Sequence, residues 1–131
     1  MKAVFTLLSG KTLDEKGFCR YLHKKIGKTA GKFNVKFDFR KENKIYCLDD
    51  AAIDIIHSLM TGAKPKIKKN AFLFCLRKEL ELFSKLKGIK FKFIEHNGLK
   101  LKVREMLNKL ESKHPEIKYS ILNAQLGFSM S

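Results

Sequence analysis

The apolar residues of this chain recur at two different spacings, and this alternation limits the folds that the chain can adopt. Phe18, Leu22 and Ile26 are spaced as on one face of a helix, which Gly27 and Gly31 are expected to end. Over residues 33–39 apolar and polar residues alternate instead, as they do in a strand. The apolar positions of that strand are Phe33, Val35, Phe37 and Phe39.

The rest of the chain continues the alternation. Residues 4–8 and 45–48 are short apolar runs typical of buried strands, and each precedes a segment with helical spacing. A basic loop is predicted over residues 62–70, where a proline interrupts the pattern. Helices are predicted at 76–86 and 99–110, a strand at 89–94, and a short helix after Pro115. This mixed order predicts a single domain with α/β layers.

The charge balance is the strongest indication of a partner. The chain has 131 residues with 28 Lys and Arg, 13 Asp and Glu, and a net charge of +15, which favours a polyanion as its counterpart. Nucleic acid fits better than a membrane surface, because the basic residues are spread through foldable segments. No apolar run is long enough to cross a bilayer. We therefore expect a cytoplasmic protein with no membrane partner.

The cysteines and histidines indicate no metal site. Cys19, Cys47 and Cys75 are odd in number and too widely spaced for a disulfide framework or a metal knuckle. The four histidines show no ligand spacing with them. We expect buried, reduced thiols and no zinc.

A candidate phosphate loop lies near the start of the chain. Ser9, Gly10, Lys11 and Thr12 follow an apolar run and precede a predicted helix, a setting in which backbone N–H groups hold phosphate. The segment lacks the upstream glycine and the full spacing of a Walker A loop. An ordinary turn is the alternative interpretation.

Two adjacent carboxylates form a second candidate site. Asp49 and Asp50 lie where a predicted strand meets a predicted helix, so they could bind Mg²⁺ or orient a nucleotide. Acidic residues are also favoured at a helix start for structural reasons, and plain N-terminal capping is the alternative.

Basic and aromatic residues supply the candidate RNA contacts. Two basic runs flank the helix at 76–86, and if they converge they form a phosphate-contacting face. The alternating Phe residues, Phe91 and Phe93 among them, could stack bases, although core packing is the favoured interpretation. Likewise, a run of lysines can be a solvated face or protect a strand edge. The candidate RNA-binding residues are Arg20, Lys24, Lys25, Lys66, Lys68, Lys69, Lys100, Lys102 and Arg104.

Short segments from three parts of the chain, taken in order, resemble the C-terminal half of the tRNA 2-thiolation branch of the PP-loop ATPases. Arg20-Tyr21-Leu22 is similar to the family's RRYLLNK stretch, and residues 47–52, CLDDAA, are similar to GHNLDDEAQ. Residues 85–91, KLKGIKF, resemble a stretch of the family that contains LKGIEF. Residues 103–111, VREMLNKLE, and 114–122, HPEIKYSIL, resemble VREMLNELE and HPGTKYSIL. The similarity spans about residues 18–122.

The resemblance implies a reduced Rossmann-like α/β fold of the adenine nucleotide alpha-hydrolase type, with a short parallel sheet and a helical C-terminal part. Residues 1–62 would be the remnant of the nucleotide-binding core, and 63–131 the basic helical part. ATP and Mg²⁺ would be the cofactors, bound by residues 9–12 with Asp49 and Asp50. The pair of cysteines that the family has just before the RRYLLNK stretch is missing before Arg20. A further cysteine of the family, later in the chain, is replaced here by His96. We therefore expect no iron–sulfur cluster.

These observations lead to three functional hypotheses. The first is a tRNA-binding relative of the thiolation enzymes whose catalysis is weakened or lost. The second is an active ATP-dependent tRNA-modifying enzyme that a partner chain completes. The third is a basic RNA-binding component of a ribonucleoprotein, in which charge alone matters. No catalytic residue is predicted under any of them.

Overall fold

Five helices and one small sheet make up the computed structural model, which describes residues 2–37 and 44–130. The sheet pairs β1 (Phe5–Thr6) with β2 (Thr12–Leu13) in antiparallel register. The helices are α1 (Glu15–Phe33), α2 (Leu48–Thr61), α3 (Arg77–Lys87), α4 (Gly98–Glu111) and α5 (Ile117–Met130).

The predicted α/β fold with a short parallel, Rossmann-like sheet is wrong. Within residues 2–37 and 44–130 the one sheet is the antiparallel β1–β2 pair, and the remaining strand-like contact is a lone parallel bridge between Ile45 and Phe93. The alternating segments around 35–37 and 89–94 form no strand apart from that bridge, and their aromatic side chains pack onto the core individually instead of lining a ladder. Phe39, the last position of the predicted strand, lies outside the described residues.

Helix α1 is longer than its glycines predict. The Asp14 carboxylate accepts a hydrogen bond of 2.8 Å from the Gly17 N–H and caps the start of the helix. The chain stays helical through Gly27 and Gly31 because the buried face continues past them, so the prediction that these glycines end the helix is wrong. The end comes at Asn34, whose φ of 52° is left-handed. The buried face comprises Phe18, Cys19, Leu22, Ile26, Thr29 and Ala30.

Helices α2, α3 and α4 confirm the sequence-based predictions to within a few residues at their ends, whereas α5 has 14 residues and is not the short helix predicted after Pro115. Helix α2 begins beside Asp49 and Asp50, and its end is marked by Gly62, whose φ is 78°. Residues 63–70 form an extended connection, as predicted for the basic loop. Helices α3 and α4 cover the two predicted helical segments, and α5 follows Pro115.

Three clusters of buried side chains form the core. The largest packs α1 against α3, with the extended chain around Ile45 and Phe91 between them. The second packs α2 against α5, and the third packs α2 against α4. Each cluster combines residues from before and after position 62. Among the helices described, none has the length and apolar character that crossing a membrane would require.

Candidate nucleic-acid interface

Residues 9–12, the predicted phosphate loop, form the turn of the β1–β2 hairpin. The Gly10 N–H donates to the Leu7 carbonyl at 2.9 Å, and the Leu7 N–H donates to the Lys11 carbonyl at 2.8 Å. Gly10 has a φ of 90°, which glycine adopts without strain. Thr12 belongs to β2, so a strand separates the turn from α1, whose first N–H groups Asp14 already caps. This geometry is that of the ordinary turn, and a phosphate site at Ser9 and Lys11 stays a prediction.

Asp49 connects three helices. One carboxylate oxygen accepts a 2.8 Å hydrogen bond from the N–H of Arg77, the first residue of α3, and the other lies 2.6 Å from the Lys118 ammonium of α5. Lys118 is 2% exposed, and it also donates to Asn108 at 2.8 Å and lies 3.4 Å from Glu111 on α4. The Asp49 carboxylate is therefore neutralised inside the molecule.

Asp50 is equally engaged. One oxygen accepts a 2.8 Å bond from the Cys47 N–H, which is the capping arrangement at the start of α2, and the other lies 3.0 Å from His96 Nε2. Both side chains are 5% exposed. Burial is the main cause that raises the pKa of Asp50 and lowers that of His96.

The two aspartates therefore match the capping alternative. Each accepts a backbone N–H at a helix start, and each has a basic partner within 3.0 Å. A magnesium ion would have to displace Lys118 or His96. No group of three or more His, Cys, Asp or Glu side chains in the described ranges is arranged to hold a metal ion. We derive no nucleotide or metal chemistry from Asp49 and Asp50, and their role in ATP binding stays a prediction.

Lys25, one of the candidate RNA contacts, belongs to a polar network in the interior. Its ammonium lies 3.1 Å from Glu79, which is 1% exposed, and it donates to the hydroxyls of Tyr21 and Tyr119. Both hydroxyls also donate to Glu79, at 2.8 and 3.3 Å. The Leu76 N–H completes the set at 2.8 Å. Burial and the Glu79 charge raise the pKa of both tyrosines, so they remain protonated donors.

Sequence reasoning missed Glu79 and Lys118, the two most deeply buried charges of these networks. A weak signal existed for each. Glu79 lies three residues after Leu76, the residue that immediately precedes α3. An acidic side chain at this position commonly reaches back to accept a hydrogen bond at the helix start. Lys118, Leu122 and Leu126 recur every four residues on the buried face of α5, so the lysine occupies a core position.

Apart from Lys25, the cations of α1 face solvent. They recur every fourth residue, and we call this set the cationic row: Lys16, Arg20, Lys24, Lys28 and Lys32. Within the described part of the chain, no carboxylate forms an ion pair with any of the five. Lys16, Arg20 and Lys24 also line a groove of about 650 Å³ between α1 and α3, to which α3 contributes Phe83 and Lys87. Two predicted RNA contacts, Arg20 and Lys24, are thus brought together.

The other candidate RNA contacts lie in several separate places. Lys66, Lys68 and Lys100 converge on a cleft of about 210 Å³ that also contains Asp50 and His96. In that cleft Lys100 is paired with Asp54 at 3.1 Å. Arg104 lines a separate cavity of about 360 Å³ beside Asp49 and Lys118, while Lys102 is exposed on α4. Lys69 is exposed, and its ammonium lies 5.9 Å from the centre of the Phe33 ring. The nine residues do not form one continuous site.

The three cysteines confirm the prediction of buried, free thiols. Burial raises the pKa of Cys75 to about 12, and it also raises the pKa of Cys47. Thiols of this kind are poor nucleophiles and poor metal ligands. Cys47 and Cys75 therefore serve the core.

The resemblance to the tRNA 2-thiolation enzymes rests on the order of short segments. In the structure, the segment similar to GHNLDDEAQ starts α2, and the segment similar to VREMLNELE lies in α4. The positions of these segments do not test kinship with the tRNA 2-thiolation enzymes, which stays a prediction. Comparison of the chain with known protein families, with curated proteins and with solved structures gives no match.

Proposed function

We propose that this protein binds RNA, with tRNA as its preferred target, through exposed basic residues that no acidic residue neutralises. One observation carries the proposal. Twenty-one Lys and Arg are exposed in the described residues, against five exposed Asp and Glu. Exposed cations therefore outnumber exposed carboxylates about fourfold, whereas the ratio in the whole composition is about twofold.

The burial of the carboxylates explains this imbalance. Asp49, Asp50 and Glu79 are buried, and Asp54 and Glu111 are partly buried. Each of these carboxylates has a basic partner. The partners include Lys118, His96, Lys25 and Lys100. Acidic residues on an ordinary surface would screen neighbouring lysines, but here they hold helices together. The outer lysines remain available to phosphate.

Charge alone supports RNA as a class, and the choice of tRNA rests on the resemblance to the thiolation enzymes. The internal pairing of Asp49 and Asp50 supports a binding role over a catalytic one, because it leaves neither carboxylate free to orient a nucleotide. An RNA-binding role also suits the cytoplasmic location that the sequence predicts. The alternative of an enzyme completed by a partner chain would require ATP to change RNA affinity.

The test is a titration of the protein with unmodified tRNA transcript and with a random RNA of equal length, at two salt concentrations. We expect tighter binding to tRNA and a steep loss of affinity with salt for both RNAs. The double variant Arg20→Gln with Lys24→Gln should lower the slope of log affinity against log salt by about 1.5 to 2. Lys109→Gln together with Lys113→Gln, also exposed but away from α1, is the matched control.

Each outcome has a defined meaning. Equal affinity for both RNAs would remove tRNA preference and leave a general RNA-binding protein. Absence of binding to either RNA at low salt would contradict the proposal. A change in tRNA affinity on addition of ATP and Mg²⁺ would instead favour the enzymatic alternative.

A further inference from the structure

Two aromatic rings stack with nearly parallel planes at the C-terminal end of α1. The ring centres of Phe33, the last residue of that helix, and Phe74, in the turn before α3, are 6.0 Å apart, and the ring planes differ by 6°. Both side chains are partly exposed. The core therefore covers only part of this stacked aromatic pair.

Two lysines border the pair. The Lys32 ammonium lies 5.0 Å from the Phe74 ring centre and 5.9 Å from the Phe33 ring centre, and Lys69 is 5.9 Å from Phe33. Both lysines are exposed, on α1 and on the basic loop. Cations over aromatic faces are attracted by the ring quadrupole, and long lysine side chains can turn from the ring to a phosphate at little cost. We call Lys32, Phe33, Lys69 and Phe74 the aromatic patch.

The cationic row leads to this patch. Its first four members precede Lys32 along α1, and successive members are about 6 Å apart along the helix axis, so the row is about 24 Å long. Because residues four apart follow an inclined ridge, the row winds gradually around the helix. Phosphate contacts along the row would place the end of the bound strand at the aromatic patch.

We propose that a single-stranded segment of RNA lies along α1, with its phosphates on the cationic row and one base stacked on the aromatic patch. This inference rests on the proposed RNA-binding function and specifies the form of RNA that this surface accepts. A single strand fits better than a duplex, because the bases of a duplex are stacked on each other and cannot reach an aromatic side chain. Stacking on a protein ring is tolerant of base identity.

The test compares three RNA probes by fluorescence anisotropy: a single-stranded oligonucleotide, the same oligonucleotide with abasic sites, and a hairpin duplex with the same number of phosphates. For the unaltered protein we expect abasic RNA to bind about 10-fold more weakly than the intact strand, since each stacked base contributes substantially. The duplex should bind with an affinity close to that of the abasic strand.

Variants of Phe74 separate stacking from charge. Phe74→Leu should weaken binding of the intact single strand about 10-fold and leave duplex affinity within about twofold. Phe74→Tyr keeps an aromatic face and should retain affinity. Phe5→Leu, a change of the same kind at a partly buried ring that packs against Phe18, is the matched control and should leave both affinities unchanged.

The outcomes distinguish this inference from the function on which it rests. If all three probes bind and the abasic strand equals the intact strand, base stacking is refuted while RNA binding stands. If no probe binds, the proposed function itself fails. The comparison of probes uses the unaltered protein, so it remains decisive even if Phe74→Leu does not fold.

Discussion

Glu79 holds three parts of the molecule together with a single side chain. Its carboxylate accepts hydrogen bonds from the Leu76 N–H at the start of α3, from Tyr21 on α1 and from Tyr119 on α5. Lys25 provides the positive charge that compensates it. A buried carboxylate is costly unless its oxygens are satisfied and its charge is paired, and here both conditions are met.

We predict that Glu79→Gln destabilises the fold by about 3 kcal/mol, because the substitution leaves Lys25 without its buried counter-charge and turns an amide toward the hydroxyl donors. Glu81→Gln on the same helix is the control. Glu81 is 54% exposed and pairs with Arg77, so its loss should cost less than about 1 kcal/mol. Urea unfolding followed by circular dichroism measures both values. Equal effects of the two substitutions would show that the Glu79 network is not stabilising.

At the scale of the element, α1 carries an arrangement that isolated helices avoid. Like charges four residues apart repel each other and destabilise a helix by about 0.2 to 0.5 kcal/mol a pair, and the cationic row contains four consecutive pairs of this kind. The helix nevertheless forms, because Phe18, Leu22 and Ile26 are fully buried on its opposite side. The repulsion is a cost that a bound polyanion would relieve.

We predict that Lys16→Gln together with Lys24→Gln raises the free energy of unfolding by about 0.5 to 1.5 kcal/mol while it weakens RNA binding. The two substitutions remove the repulsion with Arg20 and Lys28. The control is Lys85→Gln with Lys87→Gln in the last turn of α3, where cations interact favourably with the helix dipole, so stability should fall slightly. Chemical unfolding measures the stabilities. A loss of stability in the α1 variant would show that the row has favourable partners.

The helices could be predicted from the sequence and the sheet could not, for a physical reason. A helix satisfies its backbone hydrogen bonds locally, so spacing such as that of Phe18 and Leu22 is sufficient evidence. A strand requires a neighbour, and alternation around Phe91 and Phe93 cannot show whether one exists. Among the residues that the structure describes, this segment forms only the bridge from Phe93 to Ile45. The resemblance to a parallel-sheet family reinforced the wrong interpretation.

The candidate site was predictable only in part, for a similar reason. The position of Asp49 and Asp50 at a helix start followed from the sequence, but their partners Lys118 and His96 lie far along the chain. Pairs of this kind are set by tertiary packing. The cationic row could be predicted from the spacing of its residues, but only two of its members, Arg20 and Lys24, are among the RNA contacts named from the sequence.

For the whole molecule, the separation of charges has a consequence for stability. The paired carboxylates are largely inside, while twenty-one cations in the described ranges face solvent and repel one another. Salt screens exposed charges within a Debye length of about 10 Å at 0.1 M, whereas buried pairs are screened much less. Added salt should therefore weaken the repulsion more than it weakens the internal pairs.

We predict that the melting temperature rises as sodium chloride is increased from low ionic strength, and that tripolyphosphate raises it further at equal ionic strength because it binds the exposed cations directly. A variant with Lys16, Arg20, Lys24 and Lys28 all changed to Gln should melt higher at low salt and gain less from either addition. Differential scanning fluorimetry measures these shifts. A melting temperature that falls with salt would mean that surface attraction outweighs repulsion, and equal gains for the variant and the unaltered protein would show that the repulsion is not concentrated on α1.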